Sequence, residues 1–379
     1  MTARDNLLAV LKHQKASWVP CVPHFYGSVN FPGLIPENLL QNTPDWLALN
    51  RFLGGTVLYE LDGAERILAD GISINEHQEN DLTYTDIHTP LGVLHATNQR
   101  AYVPTPVYDV QPGFVTPGPI ETDTRITYPV KSLQDYSTLA SFYDHLQFKP
   151  CTDKVADIIS QVGDDGAVSC SSGSSPLYSL IGFDAGLTQT IYDLSDEPEI
   201  VEHAMDSIFH AIMRQLEAVC DTACDIVRIT EDLDINLVSL ELFEKYAFPA
   251  LKAYTDYVHS RGKLMVFHMC GRIRAFLPIL QKAGMDAIHC LCAPDVGNTP
   301  MAEAREIFGN KTAIMSRVDA NLLLRGRPEI ITESVRNTVS EVNGGKDNFM
   351  YIMPCGRAPL ENLRAYIQAA ENTRFECVN

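Results

Sequence analysis

The chain has 379 residues, of which 45% are hydrophobic and 20% charged, enough for one large domain or two smaller ones. Its 48 acidic and 29 basic residues give a formal net charge of −19, which argues against a nucleic-acid partner held by clustered Lys and Arg. No apolar run reaches the roughly 18 residues of a membrane span, so none is expected.

Thr2 followed by Asp5 is a helix-start signal. The start lacks the basic flank and apolar core of a secretory signal, so a cytoplasmic location is expected. Residues 18–26, 56–60 and 167–171 read as strands, and 131–162 and 184–222 as helical. Residues 61–130 are rich in Thr, Pro, Gly and Tyr and read as hairpins inserted after the second strand. From residue 225 the pattern becomes regular. Apolar strands at 225–230, 263–268, 286–291, 312–318 and 349–355 alternate with helices at 238–261, 271–283, 300–308, 328–343 and 360–372. Pro328 suits the first turn of its helix. About eight strand-then-helix units predict a single TIM (β/α)8 barrel with an insertion. A doubly wound open sheet is the alternative, but no G-x-G-x-x-G follows the first strand.

In such a barrel the chemistry sits at the C-terminal strand ends. His268 and Cys270 end one strand in "LMVFHMCG", and Cys355 ends another in "YIMPCG". Two cysteines and a histidine make a three-ligand zinc set with one position open. Their wide separation is unlike a zinc finger and needs a scaffold to bring them together. The chain has ten cysteines, and most of the other eight read as buried small hydrophobes rather than a disulfide framework. Cys220 and Cys224 fit one face late in a helix. Cys290 and Cys292 fall on one face of a strand, with His289 on the other.

Further polar groups fall at predicted strand ends: His24, Tyr26, Glu60, Ser171, Glu231, Asp232, His289 and Arg317. Glu231, Asp232 and His289 are candidate catalytic groups, with the carboxylates orienting the substrate or a zinc-bound group. His24, Tyr26, Glu60, Ser171 and Arg317 are candidate substrate contacts. "CSSGSSPLYSL" from Cys170 lacks the Gly-Lys-Ser/Thr ending of a phosphate loop and reads as a strand-to-helix loop.

The chain resembles the uroporphyrinogen decarboxylase superfamily, and within it the zinc-dependent, corrinoid-linked methyltransferases. The resemblance runs through "TARDNLLAVLKHQKASWVP", "VSLELFEKYAFPALKAYTDYVHSRGKLMVFHMCG", "AGMDAIHCLCAPDVGNTPMAEAREIFG", "RVDANLLLRGRPEIITESV" and "YIMPCGRAPLENLRAYIQAA". It implies a TIM barrel with zinc on His268, Cys270 and Cys355. It also implies a methyl group moving between a small methylated substrate and the cobalt of a corrinoid (cobalamin). By analogy within the family, that substrate is a methoxylated aromatic undergoing O-demethylation. The alternative is a thiol acceptor taking the methyl group from methylcobamide. A porphyrinogen-type decarboxylase or a protein with structural zinc are further alternatives. The decarboxylases hold their substrate with arginines near the first strand, and "VPHFYGSVNFPG" has none. Asp86-Ile-His88-Thr-Pro-Leu-Gly92 is one residue too long for a corrinoid motif. The corrinoid is therefore expected on a separate protein docking over the barrel mouth, shaped by residues 61–130.

Overall fold

The computed structural model describes residues 1–23, 29–30, 35, 43–102, 114–117, 121–294, 297–343, 349–353 and 358–375. Eight strands form one sheet: β1 (Cys21–Pro23), β2 (Val57–Asp62), β3 (Gly166–Ser172), β4 (Ile226–Thr230), β5 (Leu264–His268), β6 (Ala287–Leu291), β7 (Ala313–Ser316) and β8 (Phe349–Met353). From β2 to β8 each strand pairs in parallel with the next, and β8 pairs with β1, placing Cys21 opposite Tyr351. Parallel strands covered on both faces need near-continuous apolar sequence, as in Leu264-Met-Val-Phe267.

The remaining seam lies between β1 and β2. Thr56 N donates to Cys21 O at 2.9 Å across it. Glu371, at the end of the helix Leu360–Glu371, also bridges it. Its Oε1 accepts from Cys21 N at 2.9 Å, Thr56 N at 3.2 Å and Thr56 Oγ1 at 2.8 Å. A Cβ on Gly55 would lie 2.6 Å from the Pro23 ring, so the close approach requires glycine. The fold is the expected TIM barrel.

The helices cover the outside of the sheet. In Pro198–Cys220, the buried Val201, Met205, Ile208, Ile212, Leu216 and Val219 recur at helical spacing and form one apolar stripe. The first helix, Ala3–Leu11, carries the expected capping box. Asp5 N donates to Thr2 Oγ1 at 3.1 Å, and Thr2 N donates to Asp5 Oδ2 at 3.2 Å. No helix among the described residues is long and apolar enough to cross a membrane.

The insertion after β2 is antiparallel, as the hairpin reading expects. Strands Ser73–Glu79, Leu82–Thr89, Gly92–Tyr102 and Glu121–Thr127 form a four-stranded sheet in that order. Asp86 lies on its second strand and pairs with His95 at 2.7 Å, in an exposed hairpin.

Three helical expectations need correction. Residues 131–162 are interrupted by the strand Leu146–Pro150, which pairs with Ala64–Leu68. Pro150 cannot continue a helix and begins the break before Thr152–Val162. Residues 184–222 split at Glu197, which is extended because Pro198 follows it. Within 238–261 the helix widens to a π turn at Phe243–Ala247, ahead of Pro249, whose missing N–H removes one bond of the ladder. Cys220 ends its helix and Cys224 lies beyond it, so the two do not share a helical face.

Asp184 ties the insertion to the barrel. Its carbonyl accepts from Val130 N at 2.9 Å, and its buried carboxylate accepts from the Tyr143 hydroxyl at 2.8 Å. Burial pushes this carboxyl up to about 7, against the opposing pull of Tyr143 and Arg125. A raised folded-state value means the protonated form favours the fold. The contribution is full below the unfolded value of about 4 and is lost as pH rises through about 7. Asp184→Asn is therefore expected to be about 1–3 kcal/mol more stable than the parent near pH 8 and close to it near pH 4, read by urea denaturation.

Candidate metal centre

β4 and β5 end side by side, with Thr230 opposite His268. Just beyond these ends Asp232, His268 and Cys270 each offer one ligand atom, and all three atoms lie within 4.8 Å of one another. Cys270 Sγ donates to Asp232 Oδ1 at 3.4 Å, and the same oxygen lies 3.6 Å from His268 Nε2. The backbone ladder continues past the strands to hold them. Glu231 N donates to His268 O at 2.9 Å, and Met269 N donates to His289 O at 3.1 Å. Gly271 then turns the chain at φ +86°, and a Cβ there would meet Asp234 Oδ2 at 2.7 Å.

His268 Nδ1 sits 2.7 Å from His289 Nδ1. Between two neutral rings one of these nitrogens donates and the other accepts. A metal-binding Nε2 must be unprotonated, so in that state His268 Nδ1–H donates to His289, which fixes the ring's orientation. Burial keeps the His268 ring below its usual range, against the opposing pull of Asp232, and Arg228 and Arg317 push the same way as burial. A neutral imidazole is the form a metal takes. Burial, with Asp232, pushes the Cys270 thiol up to about 12. It therefore keeps its proton until a cation displaces it.

Glu231 is fully buried and accepts from Ser175 N at 2.8 Å and Ser175 Oγ at 2.6 Å. It anchors the start of the helix Pro176–Ser179, where Ser175 is the N-cap, and so fixes the loop carrying Asp232. Burial pushes its carboxyl up to about 7, against the Ser175 bonds.

The expected alternation of Cys290 and Cys292 against His289 fails. Pairing with β7 skips Cys290, which bulges at φ +68°, so His289 faces His268 while both thiols lie near Cys270 and Arg317. Such a bulge re-aims side chains at a strand end. Hydrogen bonding from Cys290, and the Arg317 charge, pull the Cys292 thiol below its usual range.

The other expected site residues have partners of their own. Glu60 forms an ion pair with Arg228 at 2.7 Å, across β3. Ser171 Oγ donates to Asp62 Oδ1 at 2.8 Å and to Leu61 O at 3.3 Å, so it is turned toward β2. Arg317 is half-buried just after β7, next to the thiols. His24, Tyr26 and Cys355 lie outside the described residues. Sequence reasoning missed Arg228 and Ser175. A lone Arg inside "DIVRIT" and the Ser-Pro pair that starts a helix were the available signals.

Residues 116–373 match the family model described as uroporphyrinogen decarboxylase (URO-D). The chain belongs to the uroporphyrinogen decarboxylase family. Among curated relatives, the methylated-thiol–coenzyme M methyltransferase of Methanosarcina mazei is 26% identical over 142 residues, 36% of this chain and 35% of the relative. The methylcobamide:CoM methyltransferase MtbA of Methanosarcina acetivorans is 25% identical over 182 residues, 47% of this chain and 50% of the relative. The chloroplastic uroporphyrinogen decarboxylase of Zea mays is 23% identical over 185 residues, 47% of this chain and 44% of the relative. The chain thus spans half or less of the length of these curated relatives. A solved structure described as a methyltransferase from Methanosarcina mazei covers 98% of both chains with a TM-score of 0.59 at 16% identity, and shares the fold.

Proposed function

We propose that this family member is a corrinoid-linked methyltransferase whose zinc is held by His268, Cys270 and Cys355, with Asp232 beside the fourth position, which is left to the substrate. The observation that carries this reading is the convergence of Asp232, His268 and Cys270 atoms within 4.8 Å at the ends of β4 and β5. Nitrogen, sulfur and carboxylate oxygen are the donors zinc takes, and these are turned toward a common point. When bound, zinc would stabilise an anionic oxygen or sulfur on the substrate.

The chain's own residues do the rest. His289 holds the His268 ring, and Glu231 holds the loop that presents Asp232. Asp232 Oδ1 accepts from the Cys270 thiol and is the first stop for that proton. The corrinoid comes on a partner protein that docks over the mouth. The methyl donor is a small methylated compound, with a methoxylated aromatic as the first choice. The names of the Methanosarcina relatives favour a second direction, transfer from methylcobamide to a thiol.

The test mixes zinc-loaded protein with a Co(I) corrinoid protein and a panel of methoxyarenes, methylamines and methylated thiols, following the cobalt spectrum. Methyl-Co(III) should form with one donor class, and chelation should stop transfer while the fold persists. Loss of methyl-Co(III) on adding a thiol would select the second direction. Absence of transfer both ways, or unfolding on chelation, would overturn the proposal.

A further inference from the structure

The Asp86–His88 stretch that fails as a corrinoid motif has another arrangement around it. Side chains alternate along each strand of the inserted sheet, so the sheet has two faces. Ile74 and Ile87 pair with each other and pack on the buried Phe142 and Leu146, and Leu94, opposite Ile87, is buried as well. The positions between them point outward. There Asp86 stands between Asn75 and His95, His88 follows two residues along the same strand, and His77 stands opposite Tyr84. Three of the chain's 11 histidines therefore share one open face around a single carboxylate. His95 Nδ1 lies 2.7 Å from Asp86 Oδ1. The His95 bond, with the charges of His95, His88 and His77, holds the Asp86 carboxyl below its usual range. An ionised carboxylate only accepts, so His95 Nδ1–H donates, and in the neutral ring Nε2 keeps its lone pair. A metal-binding imidazole is held in the same way, by a carboxylate on its other nitrogen.

We infer that His88 and His95, with Asp86 orienting His95, form a surface site for a borderline divalent transition cation such as zinc. Imidazole suits these ions, and water fills the remaining positions. His88 is opposite Val93 and so lies diagonally across from His95. Diagonal positions are about 7–8 Å apart, within reach of long side chains, and an ion between two rings shortens the gap further. As they stand, His95 touches Asp86 alone, and His88 joins by turning its ring. The His95 and Asp86 side chains are 61% and 39% exposed and His88 is only partly covered, so the face leaves room for that turn. The net charge of −19 draws cations to the surface. A bound ion would tie Leu82–Thr89 to Gly92–Tyr102 and clamp the hairpin. No barrel residue takes part, so the inference stands apart from the methyltransferase reading.

The test equilibrates the full chain with one equivalent of zinc and then titrates more zinc by calorimetry, in a buffer that does not bind metal. A further zinc should bind in the micromolar range. His88→Asn and His95→Asn should each weaken it by more than about tenfold, and Asp86→Asn by about ten- to a hundredfold, the usual cost of losing a group that supports a ligand. Hydrogen–deuterium exchange locates the ion. Zinc should slow the amides of Leu82–Thr89 and Gly92–Tyr102 in the parent and leave them unchanged in His95→Asn. Circular dichroism checks that each variant folds, and His88→Gln and His95→Gln replace any that does not. Binding only at millimolar zinc, a further zinc held equally well by folded variants of both histidines, or protection confined to other segments overturns the inference.

Discussion

Cys270→Ala is expected to lower zinc affinity by more than about a hundredfold and to abolish methyl transfer, while the barrel stays folded. Changing a group that merely supports a ligand already costs about ten- to a hundredfold, so removing a ligand costs more. Cys270 lies past the end of β5 on a loop, and its thiol is partly exposed. Its loss leaves no large cavity, so the change in stability should stay within about 1 kcal/mol. Metal content by elemental analysis and far-UV circular dichroism separate the two effects. His268→Ala should behave alike in metal content, but it also strips His289 of a 2.7 Å partner and is the less clean variant. A Cys270→Ala protein that kept its zinc and its turnover would remove Cys270 from the centre.

The largest loss of stability is expected from Arg228→Ala. The Arg228–Glu60 pair is nearly enclosed, with side chains 13% and 12% exposed. Breaking such a pair leaves a charge without its counter-ion and costs about 3–5 kcal/mol. Burial already raises the Glu60 carboxyl against the pull of Arg228, so losing Arg228 raises it further. A group whose folded value is raised stabilises the fold at low pH and loses that contribution as pH climbs. The deficit of Arg228→Ala should therefore shrink in acid and grow toward alkaline pH. Adding Glu60→Gln to Arg228→Met should recover most of the loss, because a neutral pair needs no counter-ion. Urea denaturation of the two single variants and the double variant reads the coupling.

The barrel was legible because both halves of its signal are local. Strands such as "KLMVFH" are apolar throughout, and helices such as Pro328–Asn343 open on proline and keep a helical period. The irregular places escaped because tertiary partners decide them. Leu146–Pro150 becomes a strand only because Ala64–Leu68 lies beside it. The break at Glu197 and the π turn before Pro249 are proline effects that periodicity alone does not register. At the site, the closeness of His268 and Cys270 follows from position at a strand end, which the sequence states directly. The place of Asp232 among the donors does not, since it depends on how the β4 and β5 loops cross-bond. Cys290 was read as an ordinary strand residue, and a bulge of one residue reverses every face beyond it. Glu60 and Ser171 sit at strand ends as expected but face Arg228 and Asp62, because side chains on neighbouring strands claim their polar atoms.

The carboxylate that joins Cys21 to Thr56 has a consequence for biogenesis. It belongs to residue 371, and it meets Cys21 across a sequence separation of 350. A nascent chain emerging from the ribosome holds its first strand long before it can supply that bridge or the eighth strand. Until then two raw sheet edges stay open to solvent and to other chains, the usual route to off-pathway association. Ring closure is thus a late event in synthesis, and a message truncated shortly before codon 371 should yield a chain that depends on chaperones even though most of its helices are complete.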